Sequence, residues 1–596
     1  MWDLGFTPQE WQKAAVILLH KKGDKTRISN YRPITLLNVL FKVWEKTLEM
    51  RTRSIVDKNR IIAERQFGSM KNRGTDMAIL ATRTIFSHAA KTESKLFSVH
   101  IDLSKAYNRV NRDKLWVSLH EKGIRGKLLA AIRSTYSAPA ERIHIGKEHS
   151  EFFYLRKGLR QGSVLSPLLF IIYMEDFLDI IHKKNLGYSI QGQRISCLSY
   201  VDDLQIFATC EEDLRELIQL LTETCPEFGF VINLSKSICL STVPIEALGP
   251  ICEALPYDIK PTECHKYIGA MIGNGVGPLK AHISHCLQKA HATMRRLQRM
   301  GMLPSKLPIH VCLKLFNALV IPKLLYGLAA LCLPDNMYDR LDYFIDNALC
   351  DILGVDKNCP IPRALIRAAL AQPTAKQRIQ EAQLRLWRCI RRPGNANLAN
   401  FTIHANKHSP LVEAVNKTCT QAETPWLLQE LTDADTKGKL RTVMNRWRKR
   451  VLHRLSPQPL SLELPWIHHD HARGITEDFP ECDNKGILLL IQARAELAYQ
   501  TYSTFPARCS HPTCEAQLSL HHVMWECKAL PSCNFRAYVQ SEVDSVPALE
   551  ALWQPASFTT KSMMCLGACE VPHISKESLV MATCHLLSTS PFYIDL

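Results

Sequence analysis

The most constraining stretch of the chain is Ser196 to Ala208 (SCLSYVDDLQIFA), where two short apolar runs flank the adjacent acids Asp202 and Asp203. Two such runs around a polar pair predict a β-hairpin with an acidic tip. Some one hundred residues earlier, Leu96 to Ile101 (LFSVHI) predicts a strand that ends at Asp102. Turn preference alone can place Asp in a turn, but neighbouring carboxylates repel, and a divalent cation would neutralise them. Hard oxygen ligands of this kind suit Mg²⁺, and two such ions roughly 3.5 to 4 Å apart support in-line displacement at phosphorus, the chemistry of nucleotidyl transfer.

The rest of the chain is consistent with an intracellular globular protein that meets a polyanion. Its 596 residues suggest roughly four domains. The 74 basic against 57 acidic side chains leave a net +17, which favours nucleic acid or an acidic surface. The longest apolar run, Val164 to Met174, contains Ser166 and Pro167 and is too short to span a bilayer, so no membrane association is expected. The start of the chain, with Asp3, Thr7, Gln9 and Glu10, lacks the pattern of a secretory signal. Its 21 cysteines are odd in number and irregular in spacing, as suits free buried thiols in a reducing compartment.

Residues 1 to about 245 alternate β-branched runs with amphipathic stretches, an α+β pattern. Asp113 to Lys122 predicts a helix, and Ser166 with Pro167 has the form of an N-cap and first helical residue before Leu168, Ile171, Ile172, Glu175, Leu178 and Ile181. Beyond about residue 276 the chain becomes helical and basic. His282 to Met300, Lys376 to Arg392 and Lys437 to Arg454 are rich in Lys and Arg, the last with Trp447 and no acid. Each could be a solvated helix face, but three together point to phosphate contacts.

Tyr200-Val201-Asp202-Asp203, with Ile101-Asp102-Leu103-Ser104-Lys105-Ala106-Tyr107 upstream, resembles the active-site blocks of reverse transcriptases. Gly158 to Leu168 (GLRQGSVLSPL) is similar to the family's template-and-nucleotide block, and Asn30 to Ile34 (NYRPI) to its fingers block. Gln66-Phe67-Gly68 with Arg73-Gly74-Thr75, Gly229 to Lys236 (GFVINLSK) and Lys266 to Gly269 (KYIG) follow in the family's order. The wording is closest to non-LTR (LINE-like) retrotransposon enzymes, whose thumb Ala318 to Gly327 and Asn347 to Gly354 also resemble.

The resemblance implies a right-hand polymerase with fingers, an antiparallel palm sheet and a helical thumb. Residues 1–275 would be fingers and palm, 276–355 the thumb and 356–500 a basic helical connection, followed by a small zinc module at 501–540 and a segment of unassigned role at 541–596. It implies RNA-directed DNA synthesis from a primer 3′-hydroxyl with deoxynucleoside triphosphates and two Mg²⁺ ions held by Asp102, Asp202 and Asp203. The partners would be template RNA and a DNA primer or target DNA. The backbone at Leu103 would touch the triphosphate, Tyr107 would be the gate that excludes a ribose 2′-hydroxyl, and Arg32 would pair with phosphates, helped by Lys21 or Lys22. Gln161 and Gly162 would line the templating pair, and Lys236 would protonate departing pyrophosphate. Asn108 stands where these enzymes often carry Asp, at a position that is not a metal ligand.

Cys509, Cys514, His522 and Cys527 have the spacing C-x4-C-x7-H-x4-C of a single tetrahedral Zn²⁺ site, with His521 as an alternative ligand. The spacing resembles the knuckle of LINE-like proteins. Arg508 and Trp525 flank it, the Trp as a base-stacking or packing residue, while Cys533, Cys565 and Cys569 match no defined site. The fingers block begins within about thirty residues of Met1, so an N-terminal endonuclease is expected to be lacking. The rival expectations are a catalytically impaired nucleic-acid-binding remnant, an RNA-dependent RNA polymerase, which Tyr107 disfavours, and an intron-type maturase. The polymerase role implies a nuclear site of action.

Overall fold

The computed structural model describes residues 1–354 apart from Leu4, Lys22, Gln191, 234–235, 256–258 and 303–305; beyond them it describes chiefly 372–391, 409–421 and 530–545. The chain divides into two compact units.

The first unit comprises Met1–His282, Ala330–Cys332 and Arg385–Glu413. At its centre is a five-stranded sheet in the order Lys260–Pro261, Ile238–Ser241, Phe97–Asp102, Asp203–Ala208, Cys197–Tyr200. All pairs are antiparallel except the outermost, between Ile238–Ser241 and Lys260–Pro261. The acidic hairpin forms as its sequence pattern predicts, with Asp203 opposite Tyr200 and with Val201 and Asp202 at the turn. Phe97 to Ile101 are all buried, so the sheet is covered on both faces.

On one face Val99, Ile101, Leu204 and Ile206 join the core with the helices Ser166–Lys183 and Glu211–Glu227. Ser166–Lys183 is apolar nearly all round and buries twelve of its eighteen residues, which is stable only for a helix enclosed by protein. Glu211–Glu227 is amphipathic: Leu214, Leu217, Ile218, Leu221 and Cys225 face inward, and Glu211, Glu212 and Asp213 complement the N-terminal dipole. On the other face a buried polar ladder runs from Thr82 on helix Thr75–Lys91 through Gln205 to Ser98, each bond 2.8 Å.

A second sheet carries Tyr31–Leu37, Lys13–His20, Ala140–Ile145 and Glu148–His149 in that order, with Phe153–Tyr154 also paired to Ala140–Ile145. Helix Val39–Lys58 follows it, capped by Asn38, whose side chain accepts from Leu40 N.

The helix after Leu165 shows one departure from the sequence expectation. Ser166 is its first helical residue rather than its cap, and it is Ser163 whose Oγ accepts from Leu165 N and Ser166 N at 3.2 and 3.1 Å. Pro167 at the second helical position costs no hydrogen bond there, because first-turn N–H groups have no helical partner.

The second unit comprises Ile283–Ala329, Leu333–Leu384 and Ala414–Leu596. Its described residues are helical. Ile309–Leu315 runs through the π turn Phe316–Val320 into Ile321–Leu324, where Pro322 cannot donate to a regular α ladder. Asp339–Leu353 ends at Gly354, whose φ of 72° is a left-handed cap, and Asp342 and Asp346, one turn apart, both pair with Arg367. Helix Gly277–Arg299 enters this unit from the first and carries Lys280, Lys289, Arg295, Arg296 and Arg299 without an acid. The cysteines whose side chains are described are mostly buried. No described helix is long and apolar enough to cross a membrane.

Candidate active site

Backbone pairing gathers the acids. Asp102 ends its strand, Asp203 begins the next, and the antiparallel register sets them directly opposite each other. Asp202 precedes in the turn, where Val201 is held at φ 61°. The backbone thus brings three acidic residues to one end of the central sheet, because both strands terminate there.

The acids are not equivalent. Asp102 Oδ2 accepts from Asn233 Nδ2 at 2.8 Å and from Lys236 Nζ at 3.3 Å, and Asn233 N donates to Asp102 O at 2.7 Å. Burial raises the Asp202 carboxyl, repulsion from Asp102 adds to the rise, and Arg32 and Lys21 oppose it. Burial and then the charges of Asp202 and Asp102 push Asp203 up to about 6. Negative charge is therefore crowded without full compensation, and the hard oxygen donors fit a divalent cation in type. Among the described residues no three His, Cys, Asp or Glu side chains converge as one metal site requires. Asp102 turns its carboxylate to Asn233 and Lys236 instead.

The segment that follows Asp102 is fixed by its own contacts. Leu103 is buried and bridges Ile232, and Ser104 N donates to Val231 O. Lys105 takes a left-handed conformation, φ 50°, which starts the short helix Ala106–Arg109. Tyr107 stacks on Phe170 with ring centroids 4.4 Å apart and planes 7° from parallel. Burial raises its phenol, with Asp202 contributing, so the ring lies within electrostatic reach of the acid cluster.

Arg32 is exposed on its strand opposite Leu19, within electrostatic reach of Asp202, as is Lys21. Lys22 lies outside the described residues.

Gln161 and Gly162 are tied to the same strand as Arg32. Gln161 O accepts from Thr35 N at 2.7 Å, and Gly162 has φ 134° with its α-carbon so close to Thr35 that a β-carbon would lie 2.1 Å from Thr35 O. Only glycine permits that approach. Gln161 Nε2 reaches Asn108 Oδ1 at 3.5 Å.

Two supporting residues escaped sequence reasoning. Glu45, buried on helix Val39–Lys58, accepts from Ser163 Oγ at 2.6 Å and from Val164 N at 3.1 Å, and so holds the loop that carries Gln161. Its signal was present: an acid on the same helical stripe as buried Phe41, Leu48 and Thr52. Asn233, three residues before Lys236, orients Asp102, and nothing in its local sequence marks it.

Cys509, Cys514, His522 and Cys527 lie outside the described residues, as do Arg508, Trp525, His521, Trp447 and the run Lys437 to Arg454.

Residues 19–271 match the family "Reverse transcriptase (RNA-dependent DNA polymerase)". This segment is a reverse transcriptase domain. The chain is 26% identical over 342 residues to the "Probable RNA-directed DNA polymerase from transposon BS" of Drosophila melanogaster, covering 54% of this chain and 36% of that protein. It is 25% identical over 344 residues to the "Retrovirus-related Pol polyprotein from type-1 retrotransposable element R2" of Popillia japonica, covering 54% and 45%. The matches thus span less than half the length of these relatives. A solved telomerase structure from Candida albicans shows a slight likeness, with TM-score 0.35 and 10% identity over 64% of each chain. The central antiparallel sheet and the helices Ser166–Lys183 and Glu211–Glu227 that cover it lie within the matched segment.

Proposed function

We propose that the chain is an RNA-directed DNA polymerase that extends a primer 3′-hydroxyl with deoxynucleotides on a template RNA. The observation that carries this reading is the register pairing of Asp102 with Asp203, with Asp202 in the adjoining turn, inside a reverse transcriptase domain.

Asp102, Asp202 and Asp203 are the residues to hold two Mg²⁺ ions, which would supply charge neutralisation and a more acidic primer hydroxyl. The chain's own groups do the positioning. Asn233 orients the Asp102 carboxylate. Arg32 and Lys21 offer cations to the triphosphate, with guanidinium geometry matched to phosphate oxygens, and the backbone at Leu103 borders the same place. Tyr107, braced by Phe170, occupies the space a 2′-hydroxyl would need. Gln161 and Gly162 form the wall for the templating pair, held by Thr35 and, through Ser163, by Glu45. Lys236, beside Asp102, is placed to donate a proton to departing pyrophosphate.

The basic helices, Gly277–Arg299 among them, would hold nucleic acid mainly through phosphate contacts, so binding weakens steeply with salt. Cys509, Cys514, His522 and Cys527 would hold a structural Zn²⁺. The site of action is intracellular, with the nucleus following from the role.

Primer extension on poly(rA) with oligo(dT) tests the reading. Incorporation by the wild-type chain that an Asp202→Asn variant loses supports it. Equal background from both would instead favour a nucleic-acid-binding remnant.

A further inference from the structure

The catalytic turn is held in an unfavourable conformation by a residue outside the acid cluster. Val201, immediately before Asp202, sits at φ 61°. A β-branched side chain rarely adopts this conformation, and it persists only where its surroundings over-determine it.

Those surroundings centre on Gln66, which is fully buried. Its Oε1 accepts from Val201 N at 2.9 Å and from Gly68 N at 2.9 Å, while its Nε2 donates to Ser199 Oγ at 3.1 Å. Ser199 Oγ in turn donates to Val201 O at 3.1 Å. Both peptide groups flanking Val201 are thereby pinned, one by Gln66 directly and one through Ser199.

Gly68 closes the clamp sterically: a β-carbon there would lie 2.3 Å from Val201 Cγ2 and 2.8 Å from Val201 N. The loop itself is fastened to the hairpin and to the first unit's core. Phe67 N donates to Ser199 O and Ser199 N to Arg65 O, at 2.9 and 2.8 Å, so the loop edges the hairpin like an extra strand. Arg73 Nη1 donates to Ala63 O and Gln66 O at 2.7 and 2.8 Å, and Arg65 pairs with Glu175 and Asp179.

We propose that Gln66 is a positioning residue for the polymerase reaction: its side-chain amide fixes the Val201 peptides and so sets where Asp202 and Asp203 present their carboxylates. This inference rests on the function proposed above. It accounts for what a glutamine and a glycine two residues apart do in the Gln66-Phe67-Gly68 segment.

The test uses Gln66→Met, which keeps volume and removes the hydrogen bonds, with Phe67→Leu as a neighbouring core change that leaves Val201 untouched. Ser199→Ala, which cuts the same network more gently, carries the test if Gln66→Met does not fold. Three readouts are taken on the full chain: hydrogen exchange of the peptide spanning 199–203, Mn²⁺ binding by electron paramagnetic resonance, and Mg²⁺ titration of primer extension.

The expected result for Gln66→Met or Ser199→Ala is exchange at Val201 roughly tenfold faster, the change that loss of about one net hydrogen bond produces. Mn²⁺ affinity falls, half-saturating Mg²⁺ rises several-fold, and kcat drops with deoxynucleotide KM within about twofold of wild type. Phe67→Leu lowers the melting temperature but moves none of these. Folded variants whose Val201 exchange and metal response match wild type overturn the inference. A wild-type chain inert in extension, yet showing the exchange and Mn²⁺ differences, sinks the polymerase reading and leaves the positioning role of Gln66 standing.

Discussion

Replacing Gly162 by alanine tests how the loop that carries Gln161 is joined to the strand Tyr31–Leu37. The added β-carbon would lie 2.1 Å from Thr35 O, whereas real β-carbons essentially never come under 3.0 Å, so the two segments must part by roughly 1 Å. That movement weakens the 2.7 Å bond from Thr35 N to Gln161 O, worth about 0.5–1.5 kcal/mol net. The φ of 134° adds backbone strain, of order 1–3 kcal/mol for a residue with a side chain. Together these put the loss at about 2–4 kcal/mol of local stability.

The functional effect should be larger than the stability effect suggests, because a 1 Å misplacement near reacting groups can cost on the order of a hundredfold in rate. Thermal melting and steady-state extension kinetics check both parts. Gly249→Ala is the control. That glycine lies inside helix Ile245–Glu253 with nothing within 4 Å of the added carbon, so alanine there should stabilise by about 0.5–1 kcal/mol. If Gly162→Ala melts with wild type and extends with unchanged kcat/KM, the close approach is not needed and the reasoning is wrong.

Three further outcomes are expected. Tyr107→Ala should open the space beside the acid cluster and raise ribonucleotide use relative to deoxynucleotide use by roughly tenfold or more, read by competing the two triphosphates in primer extension; wild-type protein that already prefers ribonucleotides would overturn the gate. Burial pushes the Glu175 carboxyl up to about 7 from an ordinary 4.5, with Arg65 opposing and Asp179 adding to the rise. The folded state therefore binds this proton more tightly than the unfolded chain does, so the associated stability is present below pH 4.5 and is lost as pH rises through 7. Denaturant unfolding across that window should show a fall of up to about 3 kcal/mol that Glu175→Gln removes, and an unchanged slope in the variant would assign the effect elsewhere. Purified protein should carry about one zinc per chain that Cys509→Ser abolishes, and metal analysis showing none in either protein would remove the zinc site.

The acidic hairpin was legible because its signal is local: apolar runs around Asp202 and Asp203 specify strand, turn and strand without help from the rest of the chain. The strand ending at Asp102 was legible for the same reason. Their meeting was carried by family resemblance, since nothing in either segment states the register. The cap of helix Ser166–Lys183 was misplaced because Ser163 and Ser166 are equally good cap residues by type. The choice falls to Glu45, about 120 residues away, whose carboxylate fixes Ser163. Asn233 and Gln66 were invisible as individual residues for a related reason. Amides are common in loops, and what singles these two out is the group they reach: the Asp102 carboxylate in one case, the Val201 peptide in the other.

The account stands or falls on three carboxylates working as one magnesium-dependent site. The most direct measurement is Mg²⁺-titrated primer extension by wild-type protein and by Asp102→Asn, Asp202→Asn and Asp203→Asn variants that melt like wild type. Saturable Mg²⁺ activation of the wild type, with loss of extension in Asp102→Asn and Asp202→Asn and a raised Mg²⁺ requirement in Asp203→Asn, is the predicted result. Extension that proceeds equally in chelator, or equally in all four proteins, would contradict it.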